Sequence, residues 1–134
     1  MIDRRSKYGS SANAFEVWKN HLVSMGYGYK LGLDLPGEKR GFLPNAKFYD
    51  KFYSEGHWSA NTIISVSIGQ GEILATPLQI ANLCATIANR GWFVTPHVVK
   101  QIQDTVMPDG LLDRRRPTID EHWYSCLLYT SDAA

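Results

Sequence analysis

Residues 62–91, TIISVSIGQGEILATPLQIANLCATIANRG, constrain the fold most, because they combine an unambiguous helix start with a helix body that cannot stand alone. Thr76 is an N-cap, Pro77 occupies the first helical position, where its missing N–H costs nothing, and Gln79 completes a Thr-x-x-Gln capping box. The body then reads Leu78, Ile80, Ala81, Leu83, Cys84, Ala85, Ile87 and Ala88, apolar on nearly every side, until Asn89, Arg90 and a C-capping Gly91. A helix of this kind needs neighbours on all sides, and one further helix with one or two strands cannot cover it. The spacing therefore predicts a helix sandwiched in the interior of something larger.

The flanking sequence supplies fewer regular elements. Asn13 as N-cap with Glu16 three residues on predicts an amphipathic helix carrying Phe15, Trp18, Leu22 and Met25, stopped by Gly26. Glycines and prolines punctuate residues 26–45 too often for a regular element, yet Tyr27, Tyr29, Leu31, Leu33, Leu35 and Phe42 are too apolar for a solvated linker. A structured loop is the expectation there. Residues 46–53 suit a short helix ended by Gly56, and Trp92, Phe93 and Val94, then Val98, Val99 and Ile102 after Pro96, read as extended chain leading into a strand.

Composition narrows the function classes only a little. With 44% hydrophobic and 20% charged residues the chain resembles an ordinary globular domain. A formal charge of +1 provides no global field for nucleic acid or an anionic membrane, so no nucleic-acid partner is expected. The basic run at residues 114–116, with Pro117 after it and Asp113, Asp120 and Glu121 nearby, reads as a solvated loop. Cys84 and Cys126 have no Cys or His partner at ligand spacing, and His21, His57, His97 and His122 show no metal-ligand pattern, so no metal or other cofactor is expected. No apolar run approaches the roughly 18 residues needed to cross a bilayer.

The words Ser67-Ile68-Gly69-Gln70-Gly71, Ala75-Thr76-Pro77-Leu78-Gln79 and Ala88-Asn89-Arg90-Gly91, in this order and spacing, resemble the transpeptidase domain of penicillin-binding proteins. Leu33-Asp34-Leu35-Pro36-Gly37-Glu38 and the turn Gly41-Phe42-Leu43-Pro44 look like the elongation type, penicillin-binding protein 2, more than its division or bifunctional relatives. The similarity covers residues 6–105 or so. It implies an α+β fold of the penicillin-binding and beta-lactamase kind, of which this chain would be a partial domain, mostly helix and loop with a short C-terminal strand.

The resemblance also implies a serine acyltransferase. Its serine attacks the D-Ala-D-Ala bond of a peptidoglycan stem peptide and passes the acyl group to an amine on a neighbouring strand; beta-lactams trap the same serine. That chemistry needs an activated nucleophile, a lysine to move protons and an oxyanion hole, which the family supplies through S-x-x-K, S-x-N and K-T-G. Other implied partners are membrane proteins of the elongation machinery, and the implied location is the periplasmic face of the inner membrane, reached through an upstream anchor helix.

The chain departs from that pattern at the residues that matter most. No serine has a lysine three residues later, and no lysine is followed by Thr-Gly or Ser-Gly. In family order the first two motifs would precede Asn13 and the third would follow Ser125. The expectation is a catalytically silent slice that contains no catalytic residue, from an active parent. A non-catalytic scaffold with the same fold and the transpeptidase half of a bifunctional enzyme are the alternatives.

Ser11-Ala12-Asn13 and Ser59-Ala60-Asn61 match S-x-N as patterns, but the first sits at a helix cap and the second where the family has no catalytic residue. Gly69-Gln70-Gly71 lacks the G-x-G-x-x-G spacing of a dinucleotide loop and reads as a tight turn that positions the next helix. Residues 126–134 resemble the translation of a transposase sequencing adapter, which implies a domain organisation of 1–125 as partial transpeptidase domain and 126–134 as foreign tail.

Overall fold

The computed structural model describes residues 5–100, 103, 106 and 110–118. Among the described residues five helices follow one another: α1 (Arg5–Tyr8), α2 (Ser11–Ser24), α3 (Ala46–Tyr53), α4 (Ile64–Ser67) and α5 (Pro77–Ala88). The rest is loop, pinned by two isolated antiparallel bridges, Phe42 with Leu74 and Phe93 with Arg115.

Helix α2 begins three residues earlier than its sequence suggests. Ser10 is the N-cap, in extended backbone, and its Oγ accepts the Asn13 amide at 3.1 Å. Asn13 is thus the third helical residue, and its Nδ2 donates to the Tyr8 carbonyl. Glu16 is released from capping and works at longer range: one carboxylate oxygen pairs with Lys19 and the other accepts the Ala46 amide at 2.7 Å, at the start of α3. The helix closes as expected at Met25, with Gly26 at φ +102°.

Helix α3 has the expected extent, with Asn45 capping the Phe48 amide, and ends at Ser54, two residues before Gly56. α2, α3 and α4 enclose an aromatic core. Phe15, Tyr49 and Trp58 meet with ring centroids 5.4 to 5.9 Å apart, and Ala46, Ile63 and Val66 fill the space around them. Edge-to-face and tilted ring pairs of this kind add about 0.5–1.5 kcal/mol each beyond area burial.

Helix α5 has the predicted capping box: Thr76 Oγ1 accepts the Gln79 amide at 3.2 Å and Gln79 Oε1 accepts the Thr76 amide at 3.0 Å. Among the described residues much of its apolar surface is left uncovered. The side chains that α5 turns into the described structure are Gln79, Asn82 and Thr86, whereas Ile80, Ala81, Cys84, Ala85 and Ala88 are exposed. Polar groups can occupy the inward face because each finds a hydrogen-bond partner there.

The short strand expected beyond Pro96 is not formed among the described residues. Phe93 makes a single bridge to Arg115, and the Val98 and Val99 amides turn to the Asp34 carboxylate instead of a neighbouring strand. Ile102, His122 and residues 126–134, with Cys126, lie outside the described residues.

Candidate functional site

The motif-bearing stretch is a turn, an anchored linker and a helix start. α4 runs into the turn at Ser67, where the Ile68 and Gln70 amides return to the Ser65 carbonyl and the Gly69 amide to that of Val66. Those amides are consumed inside the turn, so they form no cradle for a phosphate. Gly71, at φ +74°, has the left-handed backbone that favours glycine, and a Cβ there would also crowd Ser65 Oγ at 2.8 Å.

Leaving the turn, the chain is fixed twice. Glu72 accepts the Tyr49 hydroxyl at 3.0 Å; burial, followed by the neighbouring carboxylate, pushes the phenol well above its usual value. Leu74 then exchanges two backbone hydrogen bonds with Phe42, at 2.7 and 2.9 Å. The turn is thereby tied to the aromatic core on one side and to the 26–45 loop on the other.

That loop is organised by side chains reading its backbone. Gln79 Nε2 donates to the carbonyls of Tyr29, at 2.9 Å, and Arg40, at 3.0 Å. Asn82 Nδ2 donates to the Met25 carbonyl at 3.1 Å, satisfying the C-terminus of α2. Glu38 gathers the Leu31, Gly32 and Leu33 amides on its two oxygens at 2.6 to 3.1 Å. Asp34 accepts Val99 at 2.8 Å and Val98 at 3.0 Å, and those amides hold its carboxyl below the usual carboxylate value.

The S-x-N look-alikes have local structural partners. Ser11 opens α2 beside its cap, and the Ser59 amide donates to Thr62 Oγ1 in a turn. His57 and His97 donate Nδ1 protons to the carbonyls of Glu55 and Thr95, and His21 pairs with the Thr118 hydroxyl. No group of His, Cys, Asp and Glu among the described residues could hold a metal ion. In the basic run, Arg114 lies 4.4 Å over the Trp92 ring and Arg115 carries the bridge to Phe93.

The model of the penicillin binding protein transpeptidase domain matches residues 10–123. The chain belongs to the penicillin-binding protein transpeptidase family. Within it the chain is similar to the peptidoglycan D,D-transpeptidase MrdA of Acinetobacter baumannii, at 45% identity over 59% of this chain and 12% of that protein. Among solved structures it is similar to PBP2 of Pseudomonas aeruginosa in complex with WCK 5153, with a TM-score of 0.69 and 26% identity over 92% of this chain and 28% of that one. PBP2 of Helicobacter pylori, solved as a complex with MreC, gives 0.66 and 27% over 84% and 20%. The penicillin-binding transpeptidase fold and its elongation-type variant are therefore those expected from the motif words. The chain spans about an eighth of that curated relative.

The family words acquire physical roles from this geometry. Thr76, Pro77 and Gln79 start α5, and Gln79 also closes the neck of the 26–45 loop. Asn82 and Thr86 went unremarked in the sequence, although polar residues at 79, 82 and 86 trace one face of an otherwise apolar helix. Asp34 and Glu38 fall within one of the family words, but their roles, like that of Glu72, were not readable there, because their partners are backbone amides or a phenol.

Proposed function

We propose that this chain is a supporting slice of a peptidoglycan D,D-transpeptidase whose nucleophile and K-T-G strand are encoded elsewhere, and that by itself it forms no acyl-enzyme. The observation that carries the reading is the family match over residues 10–123, in a sequence where no serine precedes a lysine by three residues. A serine without an adjacent base is a weak nucleophile at neutral pH. The described serines offer no such pair.

In the parent, the acyl donor is a peptidoglycan stem peptide ending in D-Ala-D-Ala, and beta-lactams occupy the same serine. The names of the relatives and of the family support this. The H. pylori PBP2–MreC complex supports an elongation-machinery protein as partner. We place the parent at the periplasmic face of the inner membrane. No helix among the described residues is long and apolar enough to cross a membrane, so the anchor would be another segment.

Incubating residues 1–134 with a fluorescent penicillin, then denaturing and resolving the mixture on a gel, tests the claim. The expected result is no covalent band under conditions that label a full-length relative. Stoichiometric labelling of this chain would overturn it.

A further inference from the structure

The loop between α2 and α3 has three kinds of fastening, each made by one side chain. Its neck is closed by Gln79, whose Nε2 holds the carbonyls of Tyr29 and Arg40 together at the start of α5. Its middle is braced by Glu38, which folds back onto the amides of residues 31–33. At its tip, Asp34 takes the amides of Val98 and Val99.

The three fastenings differ in exposure. Gln79 is 1% exposed, so the neck is a buried contact, whereas Asp34 and both valines stand open to solvent. Exposed backbone hydrogen bonds with little apolar packing around them open at low free energy, while buried ones open only with the surrounding structure. Val98, at 65% exposed, contributes little packing of its own. Its placement depends on the carboxylate.

We propose that this loop is a strap with a fixed neck at Gln79 and a releasable hook at Asp34 that sets the course of the chain through Val98 and Val99. The hook opens without the neck: losing Asp34 frees residues 98–100 and leaves the loop folded, because Glu38 and Gln79 hold its conformation independently. The inference rests on hydrogen-bond geometry alone and does not depend on the function proposed above.

Amide exchange measured by NMR on residues 1–134 tests the strap. In the wild-type chain the Val98 and Val99 amides exchange slowly for such exposed positions. In Asp34→Ala they exchange about ten-fold faster, the loss of a charge-assisted acceptor, while Leu31, Gly32 and Leu33 keep their rates. Glu38→Gln gives the opposite pattern, accelerating residues 31–33 first. Asp34 is exposed, so its removal leaves the core intact, and Asp34→Asn, which keeps one acceptor oxygen, falls between the two. Unprotected Val98 and Val99 amides in the wild type, unchanged rates in Asp34→Ala, or uniform acceleration of loop and α5 in that variant would each overturn the hook. Penicillin labelling responds to none of these substitutions, so failure of the strap and failure of the proposed function remain distinguishable.

Discussion

Gln79 uses its whole side-chain amide inside the molecule, with Oε1 on the Thr76 amide and Nε2 on two loop carbonyls. Gln79→Met preserves volume but strands both carbonyls and one amide. Leaving a buried polar group unpaired costs about 1–3 kcal/mol, so a loss of about 2–4 kcal/mol is expected in urea unfolding. An unchanged midpoint would remove Gln79 from its place at the loop neck.

Gly41 and Gly37 make a matched pair at the same scale. Both have positive φ, +65° and +86°, but a Cβ on Gly41 would overlap the Leu74 carbonyl oxygen, while one on Gly37 meets nothing within 4 Å. Gly37→Ala should cost about 1–2 kcal/mol from backbone conformation alone. Gly41→Ala should cost clearly more, because it also breaks the Phe42–Leu74 bridge. Glu16 adds a pH dependence. Burial pushes its carboxyl up, but the Lys19 ammonium, the Ala46 amide and the Lys47 charge outweigh that and leave the value lowered. A lowered folded value stabilises the fold above the ordinary carboxylate range, and that contribution disappears as pH falls through the lowered value. Glu16→Gln should therefore flatten the acid limb of a stability-versus-pH curve.

At the scale of elements, the sequence was legible wherever the signal was local. The start of α5 depends on residues within one turn of each other, and so does the extent of α3; both stand where the pattern put them. The start of α2 was misassigned because Ser10 and Asn13 are both competent caps, and a capping box from Asn13 to Glu16 competes on paper with a cap at Ser10. The choice is settled thirty residues away, where the Ala46 amide claims the Glu16 carboxylate. Ser10→Ala should accordingly destabilise the chain by about 1 kcal/mol, and Asn13→Ala by only a few tenths. Equal effects, measured by thermal unfolding, would return the cap to Asn13. Among the described residues after Pro96 no ladder forms, for a related reason: β-propensity specifies an extended chain, but a ladder needs a partner edge, and the Val98 and Val99 amides meet the Asp34 carboxylate instead.

At the scale of the whole molecule, the described residues form an apolar centre and a polar one. Phe15, Tyr49, Trp58, Ile63 and Val66 pack the first, while the buried face of α5 is fastened to the loop through Gln79 and to the C-terminus of α2 through Asn82. Beside that face, Leu78, Ala81, Ala85, Phe93 and Pro96 line an open cavity of about 250 Å³. Apolar burial scales with area, whereas each hydrogen bond made on folding replaces one to water and contributes only about 1 kcal/mol net. The aromatic centre should therefore outlast the α5 half. In a Trp92→Phe, Trp123→Phe background, the remaining tryptophans are Trp18 and Trp58, both at the aromatic core. Urea unfolding followed by their fluorescence should have a higher midpoint than the helix signal from circular dichroism, which includes α5. Adding Gln79→Met should widen the gap by lowering the second midpoint while sparing the first. Coincident transitions in both chains would mean that the polar fastening is as cooperative as the core, and that the loop and α5 fold with the aromatic cluster as one unit.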